Sequence, residues 1–237
     1  AGIEMMLALP HCTEAALAEA VPSIGRLDAI ADDFFELLDW LDWRGDETVV
    51  EVGAHTGWCA RHLAKRAGTV IATDVSHQLA WSHVYLERGA RFEPVYCDMT
   101  VFPFREGSLD MVFAVATIHH TDDLAGLFAR FHHALKPGGR VVAFAEPVVG
   151  RWDTAARASF GVEERAVGAQ EHVYAIHEYF AAARRVGFVP RVIPQRGLLD
   201  DTTRRWPRTR RLGELLLESG LGYTAAFTHV LYPLLLT

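Results

Sequence analysis

The run Thr48-Val-Val-Glu-Val-Gly-Ala-His-Thr-Gly57 restricts what this chain can become more than any other. Its β-branched start is the mark of a strand buried on both faces of a parallel sheet. Gly53 and Gly57 then supply a turn, and Cys59, Ala60, Leu63, Ala64 and Ala67 follow on one face of a helical pattern. Strand, glycine turn and helix in that order build a nucleotide site, with the ligand beyond the strand's carboxyl end and against the helix N-terminus. The pattern is Glu-x-Gly-x-x-x-Gly rather than Gly-x-Gly-x-x-Gly, and Glu51 occupies the strand tip. A carboxylate there repels a pyrophosphate by several kcal/mol in a dry site. It suits a ligand that carries an ammonium group.

The 237 residues fit one α/β domain with additions, or a domain and a small cap, and half of them are apolar. No apolar run is long enough to cross a bilayer, and no secretory signal is visible, so a cytoplasmic protein is expected. The net charge of −7 gives no general reason to expect nucleic-acid binding. Cys12, Cys59 and Cys97 are scattered, which suits a reducing compartment. Twelve histidines form no clean metal signature, and no metal is expected. The pairs His119-His120 and His132-His133 are sequence neighbours, which on a helix do not face the same way.

Alternating elements follow along the chain. An amphipathic helix is expected over 23–43, with Ser23 as N-cap and Leu27, Ile30, Phe34, Leu37, Leu38 and Leu41 on its apolar face. A second strand over 69–73 ends at Asp74, which lies 21 residues beyond Gly53. That interval suits a carboxylate beside a ribose diol, and an N-cap for the next helix is the other use of Asp74. A helix over 77–88 and strands over 92–96 and 109–117 come next. A helical stripe then runs from Leu124 to Leu135, and Lys136-Pro-Gly-Gly139 stops it. A fifth strand is expected over 140–145, ending at Glu146-Pro147. A polar stretch over 151–170 reads as a lid, 171–186 as a helix, 187–193 as a sixth strand and 224–231 as a seventh. The arginines Arg204, Arg205, Arg208, Arg210 and Arg211 between the last two read as a solvated face, or as a site for an acidic partner.

Residues 48–147 resemble the class I S-adenosylmethionine-dependent methyltransferases. The acidic strand tip with its glycine loop, Ile71-Ala-Thr-Asp74-Val-Ser76 and Cys97-Asp98-Met99 all carry the likeness. So do the turn Phe102-Pro-Phe104 leading to Asp110, His119-His120 followed by an acidic residue, and Leu135-Lys-Pro-Gly-Gly139 before Glu146-Pro147. One position departs from the family: His55 stands where a middle glycine is usual. The resemblance implies a Rossmann-like three-layer αβα sandwich, with a seven-stranded, mostly parallel sheet, an antiparallel last strand and N-terminal helices. It divides the chain into a helical cap (1–44), a cofactor-binding core (45–194) and a final inserted segment with the last strand (195–237).

The same resemblance implies methyl transfer from S-adenosylmethionine, leaving S-adenosylhomocysteine, to an O- or N-nucleophile of a small molecule such as a secondary metabolite. Cofactor contacts would come from Glu51, Gly53, Ala54, His55, Gly57, Asp74, Val75, Asp98, Met99 and Ala116. A hydroxyl nucleophile profits from a base, and a histidine titrates in the useful range, so His120 and then His119 are the catalytic candidates. Glu146, Glu171, His172 and Tyr174 are candidates for the acceptor pocket, and Asp110 reads as structural. The expected partners are a small-molecule substrate, with neither nucleic acid nor membrane, and a homodimer is compatible. The alternatives are a non-catalytic scaffold of the same fold, which the lost glycine allows, and a nicotinamide-dependent oxidoreductase, which Glu51 disfavours.

Overall fold

The computed structural model describes residues 31–166, 168, 170–193 and 234–237. The chain divides into two compact units, residues 1–42 and 43–237. In the first, helix α1 (Ala31–Trp40) carries Phe34, Leu37 and Leu38 at spacings of three and one, all buried. Ser23 lies outside the described residues, as do the arginine run at 204–211 and the strand expected over 224–231.

The second unit alternates strand and helix. It contains β1 (Thr48–Val52), α2 (Trp58–Leu63), β2 (Thr69–Asp74), a 3₁₀ segment His77–Ser82, α3 (His83–Leu86), β3 (Glu93–Tyr96) and β4 (Leu109–Val115). A 3₁₀ turn Ile118–His120, α4 (Leu124–Ala134) and β5 (Leu135–Phe144) follow. The chain continues through α5 (Thr154–Ser159), α6 (Val162–Ala166), α7 (Ile176–Arg185), β6 (Pro190–Val192) and β7 (Leu234–Leu236). The sheet order is β3-β2-β1-β4-β5-β7-β6. The five strands β1 to β5 pair in parallel and form the body of a Rossmann-like sheet. The short β7 runs antiparallel to both β5 and β6.

Burial follows the residue pattern. β4 is apolar at nearly every position and sits mid-sheet, where both faces are covered. Phe128 and Phe131 of α4 and Tyr179 and Phe180 of α7 pack with Val50, Val112 and Val141 in one cluster. The reversal of strand order lies between β1 and β4, so the cleft for a ligand opens beyond their carboxyl ends.

Several local expectations are corrected. The segment 77–88 is a 3₁₀ turn running into a short helix, because Ser76 caps it through Gln78 N–H and the chain stays tight. β5 begins at Leu135 rather than at Arg140. Leu135 pairs with Leu109, and the register then jumps so that Met111 meets Arg140, which leaves Pro137-Gly138-Gly139 as a bulge. The helix expected from 171 starts only at Ile176, where Glu178 accepts the Ala175 N–H at 2.7 Å. Among the described residues a further strand, Leu234–Leu236, pairs with Val141, Val142 and Ala143.

Candidate active site

The loop after β1 is shaped by left-handed backbone. Gly53, His55 and Gly57 have φ of 67°, 51° and 83°. A Cβ at Gly53 would collide with the side chain of Thr117, beyond the end of β4. The first glycine is therefore required both by conformation and by the close approach of the β4 turn. His55 holds the loop's shape without being glycine, and its backbone N–H donates to Asp74 Oδ2 at 2.7 Å. Burial holds the His55 ring below the usual histidine range, against the pull of Asp74. Ala54 N–H donates to Thr73 O, so the loop is tied to β2 at two points.

Glu51 is buried at the tip of β1. Burial pushes its carboxyl up to about 8, only partly offset by the Cys59 thiol and the Ala60 N–H. Among the described residues its Oε2 has no hydrogen-bond partner. A buried, unpartnered carboxyl oxygen is costly, and a cationic group placed against it would repay that cost. Asp74 Oδ1 accepts the Ser76 N–H at 2.7 Å, so each of its oxygens already takes one backbone donor and keeps further lone pairs. The N-cap of the following turn is Ser76 rather than Asp74. Asp98 is exposed and closes its own turn, accepting from Thr100 N–H and Thr100 Oγ1, both at 2.7 Å. Val75 is exposed beside Asp74, and Met99 is half-buried against the core. Ala116, at φ 47°, turns the chain out of β4.

A second group of side chains assembles beyond β4 and β5. Glu146 is buried, and its oxygens accept Thr117 N–H (2.7 Å), Ile118 N–H (2.8 Å) and His119 N–H (3.1 Å). It also binds His119 Nδ1 at 2.9 Å. Burial alone would raise the Glu146 carboxyl, but His119 and these backbone donors outweigh it and hold it low. For His119 burial pulls down, while Glu146 and Glu171 together prevail and raise the ring above the usual range. His119 Nε2 lies 3.3 Å from Glu171 Oε2, and His120 Nδ1 lies 3.5 Å from Glu171 Oε1 and 2.6 Å from Gln170 O. The edge of the Phe160 ring covers His119.

Glu146, expected to line the acceptor pocket, instead spends its oxygens on the β4 turn and orients His119. The adjacent histidines do face one another. They sit on a 3₁₀ turn rather than an α-helix, which brings the ring centroids to 4.1 Å. Tyr174 reaches Thr121 O with its hydroxyl (2.5 Å) and stacks on His172, so it braces the segment that delivers Glu171. Asp110 lies at the other end of the sheet, bound to Thr48 N–H (2.9 Å), Lys136 (2.6 Å) and Arg44 (2.8 Å). Thr117, Phe160 and the Gln170 carbonyl were not anticipated. Only the threonine carried a signal, as the residue that leaves an apolar strand.

Residues 50–143 match the family described as a methyltransferase domain. The chain is 32% identical over 105 residues to phosphoethanolamine N-methyltransferase 2 of Caenorhabditis elegans, a match covering 43% of this chain and 24% of that protein. It is 29% identical over 125 residues to malonyl-[acyl-carrier protein] O-methyltransferase 1 of Coxiella burnetii, covering 52% and 42%. The chain thus spans less than half the length of these curated relatives. The fold superposes on geranyl diphosphate C-methyltransferase of Streptomyces coelicolor with a TM-score of 0.63 at 21% identity, over 96% of this chain and 84% of that one. Among the described residues no helix is long and apolar enough to cross a membrane. The segment 50–143 is thus similar to methyltransferase domains, and the fold around it is the one that solved methyltransferases share.

Proposed function

We propose that this protein transfers a methyl group from S-adenosylmethionine to a small-molecule acceptor through an oxygen or nitrogen nucleophile. The observation that carries the reading is the buried Oε2 of Glu51, without a partner among the described residues, beside the left-handed Gly53 turn. That oxygen fits the donor's α-ammonium group, and the loop N-terminal to α2 fits its carboxylate. Asp74, with Val75 beside it, is assigned to the ribose, and Asp98 with Met99 to the adenine. When bound, the donor supplies an already activated methyl group, so the protein's work is alignment and exclusion of water.

The acceptor end is assigned to His119, His120 and Glu171, under the cover of Phe160. Glu146 and Tyr174 position that group. Most of the helical cap expected over 1–44 lies outside the described residues. The relatives named above act on nitrogen, oxygen and carbon, so the shared fold does not choose the acceptor atom. The net charge of −7 and the free thiols of Cys59 and Cys97 support a cytoplasmic enzyme of small-molecule metabolism.

Titration calorimetry with S-adenosylmethionine and S-adenosylhomocysteine tests the reading. Micromolar binding of both is expected. Absence of binding at millimolar ligand, in protein shown to be folded, would leave a scaffold of this fold as the better description.

A further inference from the structure

His119, His120 and Glu171 offer one ligand atom each, all within 4.8 Å of one another. The hydrogen bonds around them fix what those atoms can do. His120 Nδ1 lies 2.6 Å from the carbonyl of Gln170, which only accepts, and 3.5 Å from Glu171 Oε1; in the tautomer that donates from Nδ1, the lone pair left for an ion is on Nε2. His119 Nδ1 faces Glu146, whose oxygens already take three backbone N–H groups and act as acceptors, so here too the hydrogen sits on Nδ1.

The Nε2 lone pair of a neutral His119 then points at Glu171 Oε2 from 3.3 Å. Two lone pairs at that distance need a positive charge between them. Either a proton or a metal ion can supply it. Ligands held by bonds of about 2.0–2.1 Å at tetrahedral angles lie about 3.3 Å apart. A carboxylate on the far nitrogen of a ligating histidine is the usual outer support of such a site. Two histidines and one carboxylate, with a second carboxylate behind, match a divalent cation in charge and donor type. His119 and Glu171 are largely enclosed, with side-chain exposures of 7% and 14%, whereas His120 at 39% leaves one side open.

We propose that His119, His120 and Glu171 bind a divalent first-row transition ion, Zn²⁺ in an enzyme that needs no redox step, with an open position for an oxygen of the methyl acceptor. The acceptor half rests on the methyltransferase reading, and the metal half stands without it. On coordination the acceptor hydroxyl gives its proton to bulk water. The oxygen then forms the O–CH₃ bond as the S–CH₃ bond breaks and its electron pair returns to sulfur. The ion thereby takes over the task expected of a histidine base and selects oxygen acceptors.

The test uses the full chain after chelator treatment, with Zn²⁺ followed by calorimetry and Co²⁺ by its visible absorption, without donor or acceptor present. Stoichiometric binding with the intense bands of a low-symmetry nitrogen–oxygen site is expected. Glu171→Gln and His120→Ala should each abolish the bands, and Glu146→Gln should weaken binding ~10- to 100-fold. Circular dichroism checks the fold of each variant, and the wild-type titration remains decisive if one of them fails to fold. No Co²⁺ bands and no Zn²⁺ heat in the wild type would overturn the proposal, as would binding that survives both first substitutions. Metal binding without binding of S-adenosylmethionine would refute the methyltransferase reading and leave the metal site standing. Donor binding without metal would do the reverse.

Discussion

Two carboxylates on neighbouring strands live in opposite circumstances. Asp110, near the amino end of β4, holds a backbone N–H, a lysine and an arginine. Burial would raise its carboxyl, but Lys136, Thr48 N–H and Arg44 together keep it below the usual range. Glu51, at the carboxyl end of the adjacent β1, is raised to about 8 by burial and keeps one oxygen without a partner among the described residues. The chain completes the environment of the first and leaves the second incomplete. The difference separates a carboxylate whose partners close the fold from one whose described surroundings leave an oxygen unmet, although both belong to one sheet.

Substituting Glu51 is the strongest way to break that contrast. Glu51→Gln should weaken S-adenosylmethionine binding by about 2–5 kcal/mol, the cost of removing one partner of a buried charge pair, read by calorimetry. An unchanged affinity would erase the distinction. The same variant gives a pH signature. The native protein keeps a proton on Glu51 up to about 8, while the unfolded chain releases it near 4.5. Ligand-free stability from this group is therefore fully present below 4.5 and is lost as pH rises toward 8. Urea titrations across that window should show the slope in the wild type and its absence in Glu51→Gln.

Next in size is Gly53→Ala. It forces a side chain into left-handed backbone and into Thr117, at a cost of about 1–3 kcal/mol in stability by thermal unfolding. Donor affinity should fall with it, because the loop and the β4 turn move together. The smallest effect belongs to Asp110→Asn, about 1–2 kcal/mol of stability with donor affinity unchanged. The folded-state value of Asp110 is depressed, so its contribution is present above 3.8 and is lost as pH falls through the folded value. The variant should flatten the acid limb of the stability curve. A loss of donor affinity there would join the two ends of the sheet that the structure keeps apart.

Much of the parallel body was legible because buried β-branched runs and glycine turns leave a local record. Val49, Val50 and Val52, and the apolar run from Met111 to Val115, announce central strands by composition alone. The placement of the residues expected on the donor side was legible for the same reason: Glu51, Gly53 and Asp74 each sit at a fixed offset from a strand tip. What escaped depends on contacts across the chain. The bulge at 137–139 exists because Leu135 meets Leu109, and nothing near 135 in the sequence reveals that pairing. The facing of His119 and His120 follows from a 3₁₀ turn pinned by Glu146, 27 residues onward. Glu146 looked like a pocket residue because it stands at a strand tip as Glu51 does. Only the positions of three backbone N–H groups show that its oxygens are already spent.

The left-handed backbone at His55, Ala116 and Ala145 falls at the tips of β1, β4 and β5, with φ of 51°, 47° and 57°. None of these residues is glycine. Side chains branched at the β-carbon fit such torsions poorly, whereas glycine and asparagine adopt them readily. Natural drift at these corners is therefore channelled toward a narrow alphabet, and a saturation library screened for folding should return glycine and asparagine there well ahead of valine or isoleucine.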